Sequence, residues 1–272
     1  MAAPVILFTD FGLAGPYVGQ MKHSVLRREP SIPLLDLFAD LPPWQPQLAA
    51  YLLAAYAGEF APGSVFLTVV DPGVGTTRRP VAVEADGRWF VGPENGLFAI
   101  VTRRAQRARW WPITWRPERL SASFHGRDLF APVAARLARG DRPAAQGTPA
   151  TTLDRPEWPD DLAQVVYVDG YGNAMTGLRA STLAEGTVLT VGRRKLPRYT
   201  TFADAKPGEP FWYENANGLA EIAVNRGDAA EMLKLAPGDE IGVAIAAKRV
   251  RRREPQRGGR SAAGQKASSN RK

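Results

Sequence analysis

The sequence of 272 residues contains no cysteine, which excludes disulfide bridges and thiolate ligands for a metal. It has only two histidines, few for a metal-dependent hydrolase. No apolar run approaches the ~20 residues that a membrane-spanning helix needs. The start, "MAAPVILFTD", lacks a basic segment and reaches an acid at Asp10, so it does not resemble a secretory signal. We therefore expect a cytoplasmic protein without a membrane segment.

Net positive charge is confined to the end of the chain. The formal net charge is +8, yet Lys248 to Lys272 alone carries ten basic residues and one acidic residue. The other 247 residues are therefore close to neutral. Residues 249–272 have few apolar side chains, so we predict a disordered basic tail. Its expected role is solubility with weak affinity for nucleic acid, and specific RNA or DNA recognition is the less favoured alternative.

The first half of the chain has the pattern of an α/β domain. The segments 5–10 and 65–71 are continuous apolar runs, typical of strands buried on both faces. Between them, residues 46–58 predict a helix, with a proline in its first turn and a glycine after its end. This order predicts a parallel sheet. A hairpin turning at Asp86-Gly87 and a helix over 128–140 complete an N-terminal α/β domain over residues 1–140.

The second half of the chain has the pattern of a smaller β domain. Four prolines and many small residues mark residues 141–162 as a linker. Six short runs rich in strand-forming residues follow, among them "QVVYVD", "PFWYEN" and "LAEIAV". We predict a C-terminal antiparallel sheet or barrel-like domain over residues 163–248, before the basic tail. The 44% hydrophobic content is sufficient for a substantial core.

Two predicted strands of the first domain end on an aspartate, Asp10 in "FTDFG" and Asp71 in "VVDPGVG". Ligands of open α/β sheets bind outside the carboxyl ends of the strands. If the two strands are parallel neighbours, both carboxylates face one crevice. The alternative is that each acid only caps the turn that follows it.

A third candidate is His125, which precedes Gly126 at the predicted start of a helix. Free backbone N–H groups at such a place favour an anion or polar ligand. A histidine there can position or deprotonate a small nucleophile. For Arg127 and Asp128 we expect a local ion pair, and for the helical His23 a structural role.

In the second domain, "VDGYGNAMTG" groups Asp169, Tyr171 and Asn173 around two glycines. The acid and the amide can bind an amine and the edge of a heterocycle, and the tyrosine can stack on a planar ring. Further asparagines include Asn215 and Asn225. Polar hairpin turns and core strands explain these patterns equally well.

Taken in order, seven segments resemble the S-adenosyl-L-methionine (SAM) hydroxide adenosyltransferase family, relatives of fluorinases and chlorinases. They are "TDFG", "YVGQMK", "VVDPGVGTTRR", "VGPENGL", "FHGRDLFAP", "VDGYGN" and "GLAEIAVNRGDAA". The resemblance covers residues 4–246. Each segment alone is a weak signal, and their shared order makes the resemblance specific.

The resemblance implies a SAM hydrolase with Asp71, Arg78 and His125 as catalytic residues. These three side chains would surround one water beside the ribose C5′ of SAM. Displacement in line with the carbon–sulfur bond would give adenosine and L-methionine. The implied reaction requires no metal and no redox cofactor.

The resemblance also implies the contacts to the substrate. Asp10 would bind the ribose hydroxyls, Trp44 would pack near the sugar and Asp169 would bind the methionyl ammonium. Adenine would contact Asn173 and the strand end at 224–226, with a stacked tyrosine. The complete predicted set is Asp10, Trp44, Gly126, Asp169, Tyr171, Asn173, Asn215, Asn225 and Arg226. Ala216 replaces a serine whose hydroxyl would hold the methionyl carboxylate, so that contact is missing.

In the family the pocket lies between the N-terminal domain of one subunit and the C-terminal domain of the next, which implies a homotrimer. Three alternatives remain at this point. A halide-using adenosyl transferase is disfavoured because a carboxylate at position 71 would repel a halide. A non-catalytic SAM or adenosine sensor would bind RNA through its tail. A metal-dependent phosphodiesterase would use Asp10, Asp71 and His125.

Overall fold

The computed structural model describes residues 2–245. The predicted basic tail and the last residues of the predicted second domain lie outside the described residues. Within that range the α-helices are α1 (Tyr17–Leu26), α2 (Pro46–Tyr56), α3 (Ala99–Arg104), α4 (Ala131–Ala138) and α5 (Ala229–Leu233). A π-helical segment, Gly126–Phe130, leads into α4. Short 3₁₀ segments occupy Ala57–Glu59, Ala150–Leu153, Ala180–Thr182 and Phe202–Asp204.

A seven-stranded sheet forms the centre of the first half. Its strands are β1 (Val5–Thr9), β2 (Leu34–Phe38), β3 (Val65–Val69), β4 (Pro80–Ala85), β5 (Arg88–Pro93), β6 (Ala108–Pro112) and β7 (Thr148–Pro149). Their order is β2-β1-β3-β5-β4-β6-β7. The first four neighbours pair in parallel, whereas β4, β6 and β7 join through antiparallel pairs. The predicted largely parallel α/β sheet is confirmed.

The apolar runs of the sequence are explained by helices on both faces of this sheet. Along β1, Val5 and Leu7 pack with α1 and α4, while Ile6 and Phe8 pack with α2. Successive side chains of a strand point to opposite faces, so a strand covered on both faces has to be apolar throughout. None of the helices in residues 2–245 combines the length and apolar composition that crossing a membrane requires.

The second half of the chain forms two antiparallel sheets, as predicted. The strands are β8 (Leu162–Val168), β9 (Ala174–Arg179), β10 (Thr187–Val191), β11 (Arg194–Leu196), β12 (Pro210–Glu214), β13 (Leu219–Val224) and β14 (Gly242–Ile245). One sheet has the order β12-β13-β9-β8 and the other β11-β10-β14. Fully buried Trp212 packs in the core of this half, with its indole N–H donating to the Thr187 carbonyl at 3.3 Å.

The segment between the two halves packs along α3. Arg103 donates to the Asp154 carboxylate at 2.7 Å and to the Trp158 carbonyl at 2.9 Å. On α2, buried Tyr51 donates its hydroxyl to the Pro159 carbonyl at 2.5 Å. These contacts tie the region around residues 150–160 to the first sheet. The domain boundaries at residues 140 and 163 stay a prediction.

Candidate active site

The carboxyl ends of β1 and β3 bring two aspartates to one edge of the large sheet. The strands pair in parallel with Thr9 opposite Val69, so Asp10 and Asp71 leave the sheet at the same end. The Asp10 amide donates to the Val69 carbonyl at 3.4 Å. Burial raises the pKa of the Asp10 carboxyl, and the nearby Asp71 charge raises it further. The expected juxtaposition of the two acids is present.

Asp71 forms a two-point ion pair with Arg78. The arginine Nε donates to Oδ1 at 2.8 Å, and Nη2 donates to Oδ2. The two side chains are only 4% and 9% exposed. The intervening turn is compact because it contains glycines: a Cβ on Gly75, whose φ is +79°, would lie 2.8 Å from the Ala122 carbonyl oxygen. The turn therefore returns the chain so that residue 78 meets residue 71.

His125 completes the cluster through the same guanidinium. Arg78 Nη2 lies 3.0 Å from His125 Nδ1. A guanidinium can only donate, so Nδ1 is the acceptor and the neutral ring carries its proton on Nε2. Burial lowers the pKa of His125, and the positive charge of Arg78 lowers it further, while the Asp71 charge opposes this shift. These effects favour a neutral imidazole with Nε2 as its donor.

The backbone at His125 is held by close packing. Gly126 is buried, and a Cβ there would lie 3.2 Å from Met21 Sδ and 3.4 Å from the rings of Phe11 and Phe124. A larger residue would require these side chains to move by a few tenths of an ångström, so the π-helical turn beside the histidine is closely packed. π-Helical turns often occur at functional sites. A contact of Gly126 with substrate stays a prediction.

The expected ion pair between Arg127 and Asp128 is confirmed, with Nε donating to Oδ1 at 2.6 Å. Asp128 Oδ2 also accepts the Ser121 amide at 2.9 Å. These bonds anchor the loop before His125 to the turn after it. His23 lies on α1, which is the helical position predicted for it.

Two residues that sequence reasoning did not assign to the site support the ion pair. The Phe130 ring lies under the Arg78 guanidinium, 5.2 Å from its carbon to the ring centroid. Asn95 donates its side-chain amide to the Val70 carbonyl at 2.8 Å, directly before Asp71. The segments "FHGRDLF" and "GPENGL" contain both residues, but as single patterns they indicate only a helix and a turn.

Asp10 is restrained by the loop that carries Trp44. The Trp44 amide donates to Asp10 Oδ2 at 3.0 Å. Trp44 has a φ of +61°, which is uncommon for a residue other than glycine, and its side chain is 76% exposed. Its indole ring is therefore available to a ligand or to another subunit.

The Asp169 loop of the second half is ordered by its own carboxylate. Asp169 Oδ1 accepts the Tyr171 and Asn173 amides, each at 2.9 Å, and Oδ2 accepts the Asn173 side-chain amide at 3.1 Å. Asn173 is buried, whereas the Tyr171 ring is 83% exposed. The Tyr171 ring therefore projects into solvent from an ordered turn.

Asn215 closes the hairpin between β12 and β13 and contacts a buried carboxylate. Its amide donates to Glu221 Oε2 at 2.8 Å, and the Tyr213 hydroxyl donates to Oε1 at 2.5 Å. Glu221 is 3% exposed, and burial raises its pKa, with a smaller contribution from Asp169. Sequence reasoning missed Glu221 because it stands inside the apolar strand pattern "LAEIAV".

The other predicted adenine contacts lie after β13. The Asn225 side-chain amide donates to the Ala205 carbonyl at 2.7 Å. Arg226 is exposed and has a φ of +57°. Ala216 lies at the exposed tip of the preceding hairpin. The structure gives each of these residues a local position, and their roles in binding stay predictions.

The structure thus forms two separate groups of predicted site residues. Asp10, Asp71, Arg78 and His125 form the first group, at the edge of the large sheet. Within residues 2–245, no hydrogen bond or ion pair joins this group to Asp169 or its loop. The predicted catalytic residues Asp71, Arg78 and His125 are therefore linked to one another, and the predicted methionine and adenine contacts lie in the second half of the chain.

Comparisons with known proteins identify the family of this chain. The family models described as SAM hydroxide adenosyltransferase N-terminal domain and C-terminal domain match residues 5–147 and 163–242. A protein of Thermus thermophilus named (R)-S-adenosyl-L-methionine hydrolase is 41% identical over 255 residues, covering 86% of this chain and 97% of the relative. A similarly named protein of Salinispora arenicola is 38% identical over 260 residues, covering 89% and 98%.

More distant similarity extends to a fluorinase of Actinopolyspora mzabensis, 26% identical over 291 residues, covering 88% of this chain and 97% of the relative. The crystal structure of an uncharacterized conserved protein from Thermotoga maritima superimposes with a TM-score of 0.76 at 31% identity, covering 88% of this chain and 99% of that one. The chain belongs to the SAM hydroxide adenosyltransferase family, as its seven segments predicted.

The link between Arg78 and His125 predicts a change in titration. Replacing Arg78 by Gln removes a positive charge beside His125 and leaves the Asp71 charge, so the pKa of His125 should rise. The measurement is an NMR titration of the histidine rings, with His125 assigned from a His125→Gln variant.

The matched control for this titration is Arg79→Gln. Arg79 is exposed and pairs with Glu94 instead. This variant should leave the His125 titration unchanged. A downward shift with Arg78→Gln, or equal shifts in both variants, would contradict the geometry.

Proposed function

We propose that this chain hydrolyses SAM to adenosine and L-methionine, using Asp71, Arg78 and His125 around one water molecule. The cluster at the edge of the sheet is the observation that carries the proposal. Its support from relatives is the name (R)-S-adenosyl-L-methionine hydrolase, given to proteins 38–41% identical over nearly their whole length.

In this reaction the leaving group is good and the nucleophile is weak. The sulfur of SAM is a sulfonium, so methionine leaves as a neutral thioether and takes the electron pair of the carbon–sulfur bond. The nucleophile is the weak partner, because free water has a pKa of about 15.7. One oxygen–carbon bond forms at C5′, one carbon–sulfur bond breaks, and the water loses a proton. The protein therefore has to orient the water and stabilise its developing negative charge.

Arg78 supplies the positive charge in this proposal. Its Nε and Nη2 are used by Asp71 and His125, and within residues 2–245 no group accepts a hydrogen bond from Nη1. Nη1 is therefore a free donor for the water oxygen. A donor fixed in a site with little solvent stabilises developing charge without reorganisation.

Asp71 and His125 orient the water molecule. Each Asp71 oxygen retains a lone pair beyond its bond to Arg78, so the carboxylate accepts a hydrogen bond from the water and takes the proton that the water loses when its oxygen bonds to C5′. His125 is a hydrogen-bond donor through Nε2, because Nδ1 is occupied by Arg78. A well-oriented nucleophile gains up to ~7–11 kcal/mol over a free one.

The substrate contacts are proposed to come from two subunits. Asp10 binds the ribose hydroxyls and Trp44 packs beside the sugar. The Asp169 loop of a neighbouring copy supplies the ammonium contact and the exposed Tyr171 ring. The exposure of the Trp44 and Tyr171 side chains supports a pocket that a second copy completes. A homotrimer satisfies this requirement, and a weak nucleic-acid contact through the tail stays a prediction.

We further propose that the sulfonium has the (R) configuration. The relatives carry this epimer in their name, and an in-line attack depends on where the sulfonium places C5′. The pocket would then discriminate between substrates that differ only in the orientation of substituents at sulfur.

The proposed chemistry needs neither a metal ion nor a redox cofactor, because the leaving group is already activated. The phosphodiesterase alternative would place a metal ion on Asp71, where the Arg78 charge would repel it. The halide-using alternative would place an anion beside the buried Asp71 carboxylate. A cytoplasmic location remains a prediction.

The substrate proposal predicts products without any halide. Purified protein incubated with each sulfonium epimer of SAM in halide-free buffer should give equal amounts of adenosine and methionine, faster from the (R) epimer. Chromatography of both products measures this. An Asp71→Asn variant purified in parallel excludes a contaminating activity. Turnover only after addition of chloride or fluoride would support the halide-using alternative, and tight binding without turnover would support a sensor.

The role of Arg78 predicts a second result. Arg78→Lys keeps the charge but loses the planar geometry that serves Asp71 and His125 together, so kcat should fall by about 100-fold or more. Arg79→Lys is the neighbouring control, and an exposed pair of this kind should change kcat by less than about twofold. Steady-state kinetics with circular dichroism spectra of both variants measure this. Equal activity of the two variants would refute the role of Arg78.

A further inference from the structure

A groove of about 1130 Å³ lies between α1 with the residues that follow it, the segment from residue 127 to residue 139 that contains α4, and the loop at residues 117–121. It is separate from the cluster around Asp71. Six arginines line it, and we call it the arginine groove: Arg27, Arg28, Arg119, Arg127, Arg136 and Arg139. Guanidinium groups of three chain segments therefore face one space.

The positive charge of the arginine groove is only partly compensated: Arg127 pairs with Asp128, and Arg139 pairs with Asp141. Among its lining residues the only carboxylate is Asp128, which is already used by Arg127 and the Ser121 amide. Four of the six arginines form no ion pair with any carboxylate in residues 2–245: Arg27, Arg28, Arg119 and Arg136. Because the chain before the tail is close to neutral, this groove is a local concentration of charge.

Two of these arginines are held in place by an aromatic ring. The guanidinium carbons of Arg28 and Arg136 lie 5.3 and 4.6 Å from the centroid of the Trp115 ring. Such cation–π contacts fix a guanidinium plane without neutralising its charge. Burial lowers the pKa of Arg28, and the nearby charge of Arg136 lowers it further. The arrangement keeps like charges close together, which an anionic ligand would relieve.

The arginine side chains of the groove indicate a phosphate-containing ligand. The planar fork of an arginine matches the oxygens of a phosphate, to which it donates two parallel hydrogen bonds. One phosphate would engage only some of these arginines, whereas several adjacent phosphates would engage arginines of all three segments. The volume of the groove accommodates such a chain.

We propose that the arginine groove binds a ligand with two or more adjacent phosphate groups. Inorganic polyphosphate, a nucleoside triphosphate and the backbone of an RNA share this chemistry. The site is independent of the proposed hydrolysis, since it uses none of Asp71, Arg78 or His125.

The test has to separate the groove from the basic tail, which also attracts polyanions. Isothermal titration calorimetry of the full chain with sodium tripolyphosphate, at constant ionic strength, measures the affinity. The groove variant Arg27→Gln/Arg119→Gln/Arg139→Gln removes three exposed charges. The tail variant Arg251→Gln/Arg252→Gln/Arg253→Gln removes the same number and is the matched control.

We expect the groove variant to bind at least about tenfold more weakly than the unmodified chain, since it loses charge-assisted hydrogen bonds to the phosphates. The tail variant should bind as the unmodified chain does. No binding to the unmodified chain, unchanged binding in the groove variant, or equal weakening in both variants would overturn the proposal. Should the triple variant fail to fold, Arg119→Glu alone should weaken binding in the same direction.

Three further titrants identify the form of the ligand. Orthophosphate should bind at least about tenfold more weakly than tripolyphosphate, and equal binding would refute the need for adjacent phosphates. ATP and a short single-stranded RNA separate the two sources. Weakening of either by the groove substitutions supports the proposal and names the source, whereas weakening of neither overturns it.

Discussion

The site depends on the buried ion pair between Asp71 and Arg78. Both side chains are almost fully shielded from water, and a charge in such a place costs several kcal/mol unless it is paired. An apolar pair of similar volume would often stabilise a fold equally well. Stability alone therefore does not explain the pair. A carboxylate and a guanidinium held in one fixed geometry are instead what a reaction with developing negative charge requires.

The rest of the first half positions this pair. Parallel pairing of β1 and β3 brings Asp10 to the same edge, and Asn95 holds the carbonyl of Val70 directly before Asp71. The Phe130 ring packs against the Arg78 guanidinium. Gly126 is closely packed in the turn that follows His125. The second half offers a different kind of surface, with its polar groups bound within turns and the Tyr171 ring exposed. In the proposed function these two surfaces belong to neighbouring copies of the chain.

Much of the fold follows from local patterns in the sequence. The apolar runs that end at Asp10 and Asp71 predict buried parallel strands, because a strand with apolar side chains on both faces has to be covered on both faces. Strand β2 was not predicted from the sequence. Its segment "LLDLF" has an aspartate among apolar residues, and its extended conformation is stabilised by pairing with β1. Asp10, Asp71 and His125 were candidates from local patterns alone. Arg78 was predictable only through the ordered family segments, because nothing local distinguishes it from Arg79. Glu221 and Phe130 became visible only through contacts between distant residues.

The most direct test is a crystal structure of the protein with its product adenosine. The 5′ oxygen of adenosine is the atom that the attacking water becomes. The account predicts this oxygen within hydrogen-bond distance, about 3 Å, of both Arg78 Nη1 and the Asp71 carboxylate. Adenosine bound with its 5′ oxygen away from these groups would contradict it.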